Sequence, residues 1–442
     1  MGIASTGLLT FAYFSIASHV LGGAPAKRID LLWSVMFVII SVIYRPIEQL
    51  LSRTIAERRA RGHAQHELRV PMLIQGGFAL AFLIVALSLH DELVNHVFEG
   101  QHALYYVLVL GTLAYAASYF ARGWLAGHQR FGLFGGLVLM ESLSRVSFAV
   151  AVAIGLASGE SAVALGIAAA PLVSLVVVPA AFARHGGAGA GSERALGREL
   201  RDAPITVDEA DAALAGPGTE AVQETVAHDE LSLRRGGGFA VWVWSIMLSE
   251  QTLLNAAVLT VDATSRNHEL AGIVFNVLLI ARAPLQLFQA IQTSLLPHLT
   301  GLEATAGHDA FARAVRTTIL AILAFAASVA LALLIVGPFA LRHVFFGQDY
   351  SYPRVGLALI GVGMGLHLTS GALNQAALAR DRARAAAACW LLAAGLFLAW
   401  MLTPAVGDQL LRAEIGYAGA TGVLALALTA LYRSCSERAI AA

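Results

Sequence analysis

Charge is scarce in this chain. Only 13% of its 442 residues are Asp, Glu, Lys or Arg, whereas 57% are hydrophobic. A soluble domain holds about 25% charged residues, so most of this chain is expected in lipid. Cysteine is nearly absent as well. Cys389 falls in an apolar run and Cys435 in the C-terminal tail, which excludes a disulfide framework. The first residues carry neither a basic stretch nor a small-residue cleavage site, so 2–22 reads as a retained span. Metal-ligand spacings, a nucleotide-binding glycine loop and a nucleophile elbow are all missing. No cofactor is expected, and the short outer loops leave no room for a catalytic domain. The formal net charge of zero gives no footing for nucleic acid.

What the chain does contain is a series of long apolar runs. A spanning helix needs roughly 20 such residues, and twelve stretches qualify. They lie near 2–22, 31–52, 70–90, 103–122, 132–157, 161–183, 239–260, 270–297, 316–341, 354–378, 385–403 and 413–432. Twenty basic residues fall in loops after even-numbered spans and six in loops after odd ones. The positive-inside rule therefore places the even loops and both termini in the cytoplasm of a multi-pass cell-membrane protein.

Residues 185–236 interrupt the pattern with an acidic, Gly/Ala-rich stretch that cannot bury enough surface to fold alone. The expected organisation is a six-helix bundle at 1–184, a cytoplasmic linker at 185–236 and a second six-helix bundle at 237–442. An even number of spans returns the chain to the same side, as parallel repeats require. Weak echoes agree. Arg45-Pro46 in span 2 matches Arg282-Ala283-Pro284 in span 8, and GWLAGHQRFG after span 4 matches NQAALARDRA after span 10.

Three basic residues lie inside spans away from their end residues: Arg45, Arg145 and Arg282. A charge at mid-bilayer costs about 2.5–3.5 kcal/mol on insertion scales, so such residues usually face a protein interior or an aqueous cavity. Ser41, Arg45, Gln49 and Ser52 share one face of span 2, with Glu48 beside them; Arg282, Gln286, Gln289 and Thr293 do the same in span 8. The competing reading has Arg45 snorkelling to the cytoplasmic interface. Pro46 and Pro284 each remove a backbone hydrogen bond and serve either as a hinge or as a static kink. Glu141 and Arg145, at i and i+4, are expected to neutralise each other or to line the cavity. Glu250 has no cation within four residues, so it either pairs with an arginine from another helix or takes a proton. It is the candidate for ion coupling. Asn255, Asn276 and Asn374 are assigned to helix–helix bonding, and His19 and His367 to packing.

Several segments have a familiar look. They are FAYFSIASHVLG in span 1, RPIEQLLSRTIAERRARG leaving span 2, ARGWLAGHQRFGLF and MESLSRVSF at spans 4 and 5, IARAPLQLFQAIQTSLLPHLTGL in span 8, and VGPFALRHVFFGQDY ending span 9. Through them the chain resembles the multidrug/oligosaccharidyl-lipid/polysaccharide (MOP) exporter superfamily, in particular its polysaccharide, O-antigen-type flippases. The resemblance implies an all-α protein of two six-helix bundles in a MATE-like V around a cationic cavity. It also implies a cargo, an isoprenoid-pyrophosphate-linked oligosaccharide moved from the inner to the outer leaflet by alternating access. Partners would then be that lipid, the membrane and other polysaccharide-assembly proteins. Arg45 and Arg282 suit the pyrophosphate, because guanidinium forms paired, charge-assisted bonds with phosphate. Alternatives stay open: a cation-coupled multidrug exporter of the same superfamily, a membrane-embedded polymerase or ligase, or a non-transporting scaffold.

Overall fold

The structure is a computed structural model, and it describes residues 2–61, 68–179, 233–264, 294–304, 307–340 and 353–440. Among these the chain is helical, without strands. The long helices are α1 (Gly2–Leu21), α2 (Gly23–Ala60), α3 (Arg69–Ser88), α4 (His102–Gly127), α5 (Phe131–Ala153) and α6 (Glu160–Ser174). They continue as α7 (Leu233–Thr264), α8 (294–304), α9 (Gly307–Ala340), α10 (Arg354–Ala379), α11 (Ala383–Leu402) and α12 (Gln409–Ile440). Among the described residues, eight helices are long and apolar enough to cross a membrane: α3 to α6 and α9 to α12, with α6 running on to Val177. The protein is a multi-pass membrane protein. Most of span 8, with Asn276, Arg282, Pro284, Gln286, Gln289 and Thr293, lies outside the described residues, as does most of the 185–236 linker.

Helix α2 departs most from its expected outline. Its apolar run begins at residue 31, which puts Lys27 and Arg28 in a loop on sequence grounds. Instead α2 runs unbroken for 38 residues, joined to α1 only through Gly22 at φ 69°. At 1.5 Å per residue it is about 57 Å long, well beyond the roughly 30 Å hydrocarbon core. Within this first stretch of α2, acids from elsewhere hold Arg28: Glu160 at 2.9 Å and Glu99 at 2.8 Å. Pro46 lies inside this helix and leaves the Val42 carbonyl without its i+4 donor.

Neighbour relations in the first six helices recur in the last six. α1 packs on α5, α4 on α6 and α5 on α6; in the same way α7 packs on α11, α10 on α12 and α11 on α12. The repeat extends to single bonds. The α4–α5 turn has Gln129 at φ 56°, with Arg130 N donating to Leu125 O at 2.8 Å. Asp381 repeats this in the α10–α11 turn at φ 59°, with Arg382 N donating to Ala377 O at 2.9 Å. Both are Schellman turns, which cap the last carbonyls of a helix through one left-handed residue. This pairs Gln129 with Asp381, one residue off the register suggested by the sequence echo.

Two cores result. One lies within the first half, around Met36, Tyr44, Leu108 and Ile167. The other fills the second half but also takes in Val42 and Leu50 of α2. Among the described residues, α2 and α3 are the helices of the first half that pack extensively on α7, α2 more than α3. On its other side α2 is held close by α4. A methyl group on Gly123 would sit 2.9 Å from the Glu48 carbonyl oxygen, and one on Gly127 2.7 Å from Ile55 Cβ. Glycines four apart permit this close approach of two helix backbones in lipid.

Candidate functional site

The polar stripe of α2 does not face lipid. Ser41, Glu48 and Ser52 are buried, and Arg45 and Gln49 are largely covered. Arg45 lies 15 residues before Ala60 and Glu250 lies 17 after Leu233, which puts both about 22–26 Å from the neighbouring ends of α2 and α7. There Arg45 Nη1 stands 3.7 Å from Glu250 Oε2. Among the described residues its one hydrogen bond is a 3.9 Å contact to the sulfur of Met247. Arg45 therefore does not snorkel. Of the two outcomes open for Glu250, the structure realises the ion pair with an arginine from another helix.

On its other side Glu250 faces His367 of α10, with Oε1 3.9 Å from Nε2. That nitrogen is buried and has no hydrogen-bond partner among the described residues. The ring of His367 is wedged edge-on to Trp390 at 5.5 Å, and its Nδ1 lies 3.3 Å from the Tyr417 hydroxyl. Trp390 in turn donates to Asn374 at 3.2 Å, an interhelical bond of the kind expected for that asparagine. His367 is thus more than a packing residue. Asn255 bonds back to Gln251 on its own helix, and His19 to the Ser15 carbonyl.

The first half holds a second polar cluster, and it corrects the reading of Glu141 and Arg145. They do not pair. Glu141 is buried and accepts from the Ser118 hydroxyl and the Arg122 guanidinium, both on α4. Arg122 also stacks on Tyr119 at 4.5 Å. The last residue of span 4 by sequence, it lies inside α4, five residues from the helix end. Arg145 points elsewhere, donating to the Tyr115 hydroxyl at 3.1 Å and Ser142 at 3.0 Å, with its guanidinium over Trp33 at 4.5 Å. The i,i+4 rule describes isolated helices; here a neighbouring helix offers each group a better partner. Buried Glu48 lies in the fields of both Arg122 and Arg45, linking the two clusters.

A further contact joins the halves towards the C-terminal end of α2. Arg53 Nη1 meets Asp381 Oδ1 at 2.9 Å and its guanidinium covers Phe239 at 5.1 Å, while Arg235 reaches the other carboxylate oxygen at 3.3 Å. Partial burial works to raise the Asp381 carboxyl, but Arg53 and Arg235 outweigh it and hold it below the ordinary aspartate range. Sequence spacing gives no hint of a pair 328 positions apart. Only the basic residues near the ends of spans pointed towards this region.

No protein-family profile matches the sequence, and neither does any curated protein. Solved structures do. An outward-facing multidrug-resistance MATE family transporter of the MOP superfamily superposes with a TM-score of 0.70 at 14% identity, covering 99% of this chain and 94% of that one. A point mutant of the Vibrio cholerae MATE transporter VcmN gives 0.67 at 13% identity over 98% and 94% of the two chains. A MOP superfamily transporter from Pyrococcus furiosus, described as having a binding pocket of reverse polarity that suggests a different function, gives 0.69 at 14% over 99% and 94%. This chain is therefore an all-α polytopic membrane protein. Its particular fold is that of the MATE transporters on which it superposes.

Proposed function

We propose that the protein is a transporter that carries an isoprenoid-pyrophosphate-linked oligosaccharide from the inner to the outer leaflet, by alternating access between its two halves. The observation that carries this reading is Arg45: a guanidinium near mid-helix, at the contact between halves, with one loose ion pair and a single weak hydrogen bond among the described residues. Most of its donor capacity is left for an incoming phosphate, which guanidinium binds in a forked, two-bond geometry. Gln49, whose buried Oε1 lacks a partner among the described residues, suits a sugar hydroxyl one turn further along the helix. Arg282 with Gln286 and Gln289 is proposed as the matching stripe in the second half, with Pro46 and Pro284 as hinges. Both termini are assigned to the cytoplasm, as the basic-residue bias implies.

The multidrug reading also has an observation in its favour. Buried Glu250 and Glu48 are carboxylates of the kind that attract organic cations, and solved neighbours are described as multidrug transporters. The pocket of reverse polarity described for one neighbour supports assigning a different cargo within the same fold. Vesicles containing the purified protein separate the two. A fluorescent polyisoprenyl pyrophosphate should cross between leaflets only when protein is present, whereas a lipophilic cation dye should gain nothing from it. Cation extrusion without movement of the pyrophosphate lipid would transfer the assignment to the multidrug class.

A further inference from the structure

We propose that Glu250 is a built-in competitor for Arg45, a loosely held counter-ion that an anionic headgroup displaces on binding. The inference rests on the anionic cargo proposed above and adds what occupies the site before the cargo arrives. The buried arginines of this protein are not held alike. Arg122 has a carboxylate and a ring face, Arg145 two hydroxyls and a ring face, and Arg53 a 2.9 Å bond to Asp381. Arg45 alone of these four pairs with its acid at 3.7 Å, beyond hydrogen-bond distance.

An anion that takes Arg45 in two-bond geometry competes with Glu250 for the same guanidinium. A pyrophosphate brings charge and that two-bond geometry. The displaced carboxylate has somewhere to turn. His367 Nε2, 3.9 Å away on the opposite side, is buried and has no hydrogen-bond partner among the described residues. Glu250 thus sits between two groups, bonded closely to neither, as a displaceable counter-ion should.

The test measures binding of farnesyl pyrophosphate and of a farnesyl carboxylate to the purified full-length protein, to Glu250→Asp and to Glu250→Gln. Removing a competitor raises the apparent affinity of every ligand it excludes by the inverse of the fraction of time the site was free of it. Glu250→Gln should therefore bind both ligands about ten-fold more tightly, with Glu250→Asp between. A merely structural role would weaken both ligands together. If neither ligand binds more tightly to Glu250→Gln, Glu250 is not a competitor, although the cargo assignment stands. If Glu250→Gln does not fold, an unchanged affinity of Glu250→Asp for both ligands overturns the proposal by itself. If the wild type binds neither anion, the cargo assignment fails and the proposal falls with it.

Discussion

Arg122 and Arg45 lie on adjacent helices of the same half and share Glu48 as a neighbour, yet one is fixed and the other slack. Arg122 is locked by Glu141, Ser118 nearby and the Tyr119 ring. Arg45 looks across to the other half and, among the described residues, finds only a distant carboxylate and a sulfur. Burying a charge is tolerable when its partners are close, and tight partners make a cluster structural. A charge kept inside a membrane protein with slack partners invites another use, and the one proposed for Arg45 is to receive an anion. The alternation Glu141, Arg122, Glu48, Arg45, Glu250 also explains how a net-neutral chain tolerates so many central charges.

The largest effect should come from breaking the fixed cluster. Glu141→Ala leaves Arg122 buried without its carboxylate and should cost about 3–5 kcal/mol, read as a fall in the unfolding temperature of the purified protein. Arg45→Ala should do the opposite. Folding and insertion persist, while translocation of the pyrophosphate lipid drops at least about ten-fold, the loss expected for charge-assisted bonds worth roughly 1.5–3 kcal/mol. Equal loss of stability in the two variants would erase the distinction between the clusters. Gly123→Ala probes the platform beneath both, since its methyl would press on the Glu48 backbone. An overpacking cost of about 1–3 kcal/mol is expected in the same unfolding measurement.

The smallest effect concerns the bridge nearer the end of α2. Asp381 has a lowered pKa in the folded protein, so its stabilisation is complete above the ordinary aspartate pKa of about 3.9 and fades as pH falls through the lower folded value. Half-exposed, it should contribute no more than about 1 kcal/mol. At neutral pH Asp381→Asn should unfold slightly earlier than the wild type, and the difference should vanish in strong acid. A gap that widens towards acid would reverse the sign of this argument.

Much of the fold was legible. Apolar runs near 20 residues and a scarcity of charge prescribe membrane helices, and the echo between the turns after spans 4 and 10 pointed to a repeat now seen in Gln129 and Asp381. The site was legible only where one helix carried the signal. Arg45, Glu48 and Gln49 break an apolar run on one face, so their burial inside the protein was readable. Glu141 and Arg122 are 19 positions apart on different helices, and local spacing favoured the wrong partner. Arg53 with Asp381 was invisible for the same reason, since tertiary contacts decide which of several possible partners a charge meets.

Cargo passing between the halves requires that they part along α2 and α7. Arg53→Cys with Asp381→Cys, in a chain whose Cys389 and Cys435 are replaced by Ser, allows a cleavable thiol cross-linker to tie them. Cross-linked protein in vesicles should stop moving the pyrophosphate lipid, and reductive cleavage of the linker should restore movement. Undiminished translocation by the fully cross-linked protein would contradict the proposed parting of the halves.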